Sequence, residues 1–133
     1  MLVVRTKKFI KHDYTYKGEN ELWTAEYKVI GTGTFTKKDN KTYYQSNSSS
    51  TLTVSYKKVD LSALSQFKKM EISYESSARA SKLNLNFDDN PPNEKYILDS
   101  SSVGGAIESK DEIIHVKISV DGNTQAIELK SVK

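Results

Sequence analysis

Along most of this chain an apolar residue recurs at every second position. Trp23, Ala25, Tyr27 and Val29 alternate with Thr24, Glu26 and Lys28. Leu52, Val54 and Tyr56 alternate with Thr51, Thr53 and Ser55; Met70, Ile72 and Tyr74 with Glu71, Ser73 and Glu75. The pattern returns at Leu83, Leu85 and Phe87, and at Ile114, Val116, Ile118 and Val120. A helix would scatter such residues around its axis, whereas a strand places them all on one face. Each segment therefore has one apolar and one wet face, as in antiparallel strands covered on one side only.

The breaks between these segments carry turn chemistry. Asp121-Gly122-Asn123 reads as a hairpin turn, since these residues tolerate positive φ. Lys37-Lys38-Asp39-Asn40-Lys41 is a second polar turn. Two prolines make Asp88–Asn93 a loop, and Asp99–Ala106 is another. One segment fits a short helix: Asp60 as N-cap, then Leu61, Leu64 and Phe67 at helical spacing. It is expected to carry the chain from one sheet to the other near residues 60–67. The expected fold is all-β: an antiparallel β-sandwich, Ig-like in general shape, with a lipocalin-like β-barrel as the runner-up. The 133 residues form one domain, with 1–8 expected as an extended or poorly ordered N-terminal segment.

Composition narrows the function classes. There is no cysteine, so disulfides, thiolate zinc sites and cysteine nucleophiles are excluded. The net charge is +3, with residues 1–70 at +7 and 71–133 at −4. Folding a β domain interleaves its halves, so this asymmetry is expected to fade in space. Eighteen of the 20 cations are lysine, which argues against arginine-led readout, and no nucleic acid is expected as a partner. No apolar run reaches membrane-spanning length. The opening MLVVRTKKFIKH does not have the form of a signal peptide. An extracellular or envelope-associated location is expected if a leader and a lipid anchor were removed, and a cytoplasmic one otherwise.

No stretch carries a catalytic signature. There is no Gly-x-Ser-x-Gly elbow, and Val103-Gly104-Gly105-Ala106 lacks the helix and lysine of a phosphate loop. Gly104 and Gly105 read as a tight turn. His12 and His115 are unpaired in sequence, and Asp88-Asp89-Asn90 with Glu94 lacks EF-hand spacing. Asp111-Glu112 reads as a hydrated pair at the start of a strand. The chain is expected to be no enzyme and to hold no metal or cofactor.

Aromatic residues are the remaining candidates. Tyr14 and Tyr16 share one face of a charged strand, and the adjacent Tyr43 and Tyr44 point to opposite faces. These four tyrosines are the candidate ligand-binding residues, suited to sugar rings or a protein partner. Trp23, the only tryptophan, shares its face with Ala25, Tyr27 and Val29 and reads as a core anchor.

Tyr16-Lys17-Gly18-Glu19-Asn20-Glu21-Leu22-Trp23, the segment Leu52–Lys57, and the ending Gly104-Gly105-Ala106, Asp111–Val116 and Val120–Asn123 together carry a likeness. They resemble small uncharacterised lipoprotein-type β domains of Gram-positive, Bacillus- or Clostridium-like, bacteria. That resemblance implies a non-catalytic, secreted or cell-envelope-associated domain of unknown specific role; its partner stays open, with a cell-wall glycan and an envelope protein as the candidates. It implies no catalytic residues. Gly18, Glu19, Trp23, Gly104, Gly105 and Gly122 stand as its structural signature. A carbohydrate- or cell-wall-binding module using the exposed tyrosines, and a lipocalin-like carrier of a small apolar ligand, are the alternatives.

Overall fold

The computed structural model describes residues 6–58, 61–88 and 92–132. Eight antiparallel strands run in chain order: β1 Thr6–Glu19, β2 Trp23–Lys38, β3 Lys41–Tyr56, β4 Lys69–Glu75, β5 Ala80–Asn86, β6 Lys95–Val103, β7 Ile114–Val120 and β8 Asn123–Val132. A 3-10 helix, Leu61–Gln66, joins β3 to β4. The hydrogen-bonded order is β5-β4-β7-β8-β1-β2-β3-β6, so the domain is all-β and nearly barrel-shaped. The 3-10 helix does carry the chain from the half built on β1, β2, β3 and β6 to the half built on β4, β5, β7 and β8. Its expected cap, Asp60, lies outside the described residues. The two halves are also joined by hydrogen bonds, through the short pairing of Thr15–Lys17 with Lys130–Val132.

The alternating apolar faces meet in the interior. Trp23, Tyr27, Leu52, Ile72, Ile114, Ile118 and Leu129 are buried there. Trp23 is 1% exposed, and its indole lies edge-on to Tyr56 and tilted against Phe67, with ring centroids 5.1 and 6.4 Å away. It is a core anchor. The β1–β2 turn fixes its entry: Asn20 Oδ1 accepts the backbone N–H groups of Leu22 and Trp23 at 3.0 and 2.8 Å. Leu83, Leu85 and Phe87 are only half-buried, because β5 is an edge strand with a neighbour on one side.

The turns follow their residue types. Asp39 and Asn40 both take positive φ, 53° and 63°, closing a two-residue hairpin at Lys38–Lys41. Asp121 and Gly122 do the same at 49° and 90°. The Asp121 carboxylate also accepts the N–H of Lys69 at 2.9 Å, which fixes the start of β4. Gly104 has φ 76°, and a Cβ at Gly105 would stand 2.6 Å from Ser102 Oγ. Gly18 permits a close strand approach: a Cβ there would lie 2.3 Å from the Glu128 carbonyl oxygen of β8.

Two features depart from expectation. Asp99–Val103, expected within a loop, is instead the second half of β6 and pairs with Asn47–Thr51. Strands β1, β2 and β3 are also far longer than the apolar alternation suggests. Residues 6–14 of β1 run past the end of β8, and Lys41–Ser46 of β3 run past the end of β6. The distal parts of β1, β2 and β3 thus form a three-stranded ribbon that projects from the body. Thr6–Asp13 alone spans roughly 27 Å at about 3.4 Å per residue.

Candidate functional site

Two places in this fold concentrate functional groups: a buried polar cluster under the loop 104–112, and the ribbon.

Glu108 is the centre of the cluster. Its side chain is fully buried. Arg79 Nη2 donates to Glu108 Oε1 at 3.0 Å and to Ser48 Oγ at 2.7 Å. The Tyr27 hydroxyl and Ser76 Oγ both donate to Glu108 Oε2. Three side-chain donors therefore neutralise and solvate one carboxylate inside the domain, the condition under which a buried charge is tolerated. Arg79 Nε and Nη1 have no hydrogen-bond partner among the described residues. Burial first, and then its hydrogen bond to Glu108, push the Tyr27 phenol well above its ordinary range.

The same loop is held at two further points. The Tyr16 hydroxyl donates to the Ser109 carbonyl. Glu112 accepts the N–H and Oγ–H of Ser77 at 2.8 and 2.6 Å, and the N–H of Ser109 at 2.6 Å. Glu112, still partly exposed, thus helps to clasp the loop, while Asp111 is exposed. With both Glu108 oxygens engaged, the cluster is a clasp that closes the interior.

Tyr16 is fully buried, so it is no surface binding residue. The reason is geometric: the wet face of β1 carries Lys11, Asp13, Thr15 and Lys17, and the tyrosine face is the inner one. Burial, then the nearby charges of Glu112 and Glu108, push its phenol up as well. Tyr14 is half-buried on that inner face, its hydroxyl 2.9 Å from His12 Nδ1. His115 is exposed on β7, far along the chain from His12. Asp89 and Asn90 of the acidic loop lie outside the described residues.

Tyr43 and Tyr44 are each 51% exposed and lie near the tip of the ribbon. Tyr43 pairs with Thr36 and Tyr44 with Phe35, so the two phenols project from opposite faces. The Tyr44 ring stacks on Phe35, with centroids 4.6 Å apart, and its hydroxyl would touch a Cβ placed at Gly33. Of the four candidate tyrosines only these two are exposed, and they lie on opposite faces of the ribbon.

No local motif marks Glu108, because its partners come from β2 and the β4–β5 turn. A faint signal for the ribbon exists in the sequence. Between Ile30 and Lys38 the apolar face is interrupted by Gly31 and Gly33, yet Thr32, Thr34 and Thr36 keep the period.

No protein-family model, no curated protein and no solved structure matches this chain.

Proposed function

We propose that this chain is a non-catalytic, cell-envelope-associated or secreted β domain that works by binding, and that the ribbon is its binding surface. The observation that carries the reading is the exposure of Phe35, Tyr43 and Tyr44 at the end of strands that extend beyond what the core needs. Clustered exposed aromatics are costly to leave in water and are characteristic of interaction surfaces. The envelope part of the proposal rests on the resemblance of Tyr16–Trp23 and the later segments to lipoprotein-type domains. The interior, occupied by Trp23, Tyr27, Tyr74 and Leu52, favours a surface binder over a carrier of an apolar ligand.

The test is co-sedimentation of the protein with isolated bacterial envelopes that contain both wall and membrane. Wild-type protein is expected in the pellet. The Tyr43→Ala/Tyr44→Ala double variant is expected in the supernatant, with its unfolding midpoint moved by only a few degrees. Retention of the double variant would place the binding surface elsewhere and defeat this reading.

A further inference from the structure

The fold sorts the charge of this chain in a way the linear sequence does not. The ribbon, Thr6–His12 with Gly31–Gln45, carries Lys7, Lys8, Lys11, Lys37, Lys38 and Lys41 against one acid, Asp39. That is +5 on the ribbon; the whole chain carries +3, so the remainder nets −2. Four body lysines are ion-paired. Lys17 and Lys28 flank Glu26 at 3.4 and 3.6 Å, Lys57 meets Glu19 at 3.2 Å, and Lys82 meets Glu71 at 3.3 Å. Among the described residues, Lys11, Lys37 and Lys41 are in no such pair, and neither are seven body lysines, Lys68 and Lys117 among them, so what sets the ribbon apart is its net charge.

Edge strands often carry lysine to prevent strand-to-strand aggregation, and that would account for Lys11 and Lys41. It does not account for Lys37 and Lys38. Both lie in β2, the central strand, where Lys37 pairs with Thr6 on one side and Thr42 on the other. Nor does it account for aromatic rings exposed beside the lysines.

The arrangement of the rings narrows the partner. A glycan platform stacks sugars on rings that share one face. Here Tyr43 projects from one face, and Tyr44 with Phe35 from the other. A projecting tip with aromatics on both sides is suited to a medium that surrounds it. The headgroup layer of a bilayer is such a medium: tyrosine rings partition there, and lysines are drawn to an anionic leaflet.

We propose that the ribbon tip docks on a lipid bilayer bearing anionic headgroups, with Lys37 and Lys41 beside the apical Asp39-Asn40 turn reaching the headgroup phosphates and Tyr43, Tyr44 and Phe35, set behind them in register, at the outer edge of the headgroup layer. This deepens the binding role proposed above and rests on the ribbon being the working surface. The test is co-sedimentation of the full chain with vesicles of equal phosphatidylglycerol and phosphatidylcholine, with pure phosphatidylcholine vesicles, and with lipid-free cell-wall sacculi. Binding to the anionic vesicles alone is expected, and it should weaken steeply between 50 and 500 mM salt. Lys37→Gln/Lys41→Gln is expected to weaken it by about 25-fold, about fivefold for each lysine removed. Tyr43→Ala/Tyr44→Ala should weaken it while leaving the salt dependence in place. Equal binding to neutral vesicles, or no loss on removing the lysines, would overturn the proposal. Binding to sacculi but not vesicles, lost in the tyrosine variant, would overturn it and leave the ribbon as the binding surface. Binding to none of the three would count against both.

Discussion

Arg79 Nη2 stands 3.0 Å from Glu108 Oε1, with the two side chains 8% and 0% exposed and 29 residues apart in the chain. Each is the other's neutralising charge. Removing one leaves the other buried without compensation, which typically costs about 3–5 kcal/mol. Glu108→Ala and Arg79→Ala are therefore each expected to lower the urea-unfolding free energy by that amount. Arg79→Met/Glu108→Met replaces both by apolar groups and is expected to cost less than either single change. Additive losses when Arg79→Met and Glu108→Met are measured singly and together would show that the pair does not act as a unit.

Tyr27 and Tyr16 make stability depend on alkaline pH. Both phenols hold their protons more tightly folded than unfolded, because burial and nearby carboxylates disfavour the phenolate. A phenol's ordinary pKa is 10.0, so their contribution is complete below that pH. Above it the unfolded chain releases protons that the folded chain keeps, and stability falls. Tyr27→Phe loses a hydrogen bond to a buried carboxylate, about 1–3 kcal/mol at neutral pH. The gap between wild type and Tyr27→Phe is expected to close as melting is followed from pH 8 to 11. A constant gap would contradict the burial of the Tyr27 hydroxyl.

Trp23 provides a direct optical check on the core. At 1% exposure, its emission is expected to be blue-shifted and insensitive to iodide in the native state, and red-shifted and quenchable in urea. Trp23→Ala is expected to cost about 3–5 kcal/mol through the void beside Tyr56 and Phe67.

At Gly18, one residue beyond the β1–β8 pairing, β8 leaves no room for a side chain. A methyl group there would meet the Glu128 carbonyl oxygen at 2.3 Å and Leu129 Cδ2 at 2.8 Å. The first of these is backbone, which cannot rotate away. Gly18→Ala is expected to destabilise by about 1–3 kcal/mol. It should also speed amide exchange at Thr15–Lys17 and Lys130–Val132, where β1 and β8 pair. Unchanged exchange there would show that the strands can separate without cost.

Much of the fold is legible residue by residue. The alternation at Trp23–Val29, Leu52–Tyr56, Met70–Tyr74 and Ile114–Val120 identifies four strands and their inner faces, because side-chain direction in a strand is a local property with period two. Asp39-Asn40 and Asp121-Gly122 identify two hairpins, because positive φ is a property of single residues. Tyr16 shows where local reading fails. Its strand is correctly recognised, but which face of β1 turns inward depends on β2 and β8, not on β1's own mixed sequence.

By itself, then, the sequence determines strands, turns and the burial of Trp23, each set by dihedral preference and hydrophobic alternation within a few residues. Only the tertiary structure brings Arg79 under Glu108 and gathers Lys7, Lys8, Lys11, Lys37, Lys38 and Lys41 on one projecting ribbon. The physical reason is strand register. Buried charge pairing and surface potential depend on distances between residues far apart in the chain, and the pairing of β1 with β2 and of β2 with β3 sets those distances.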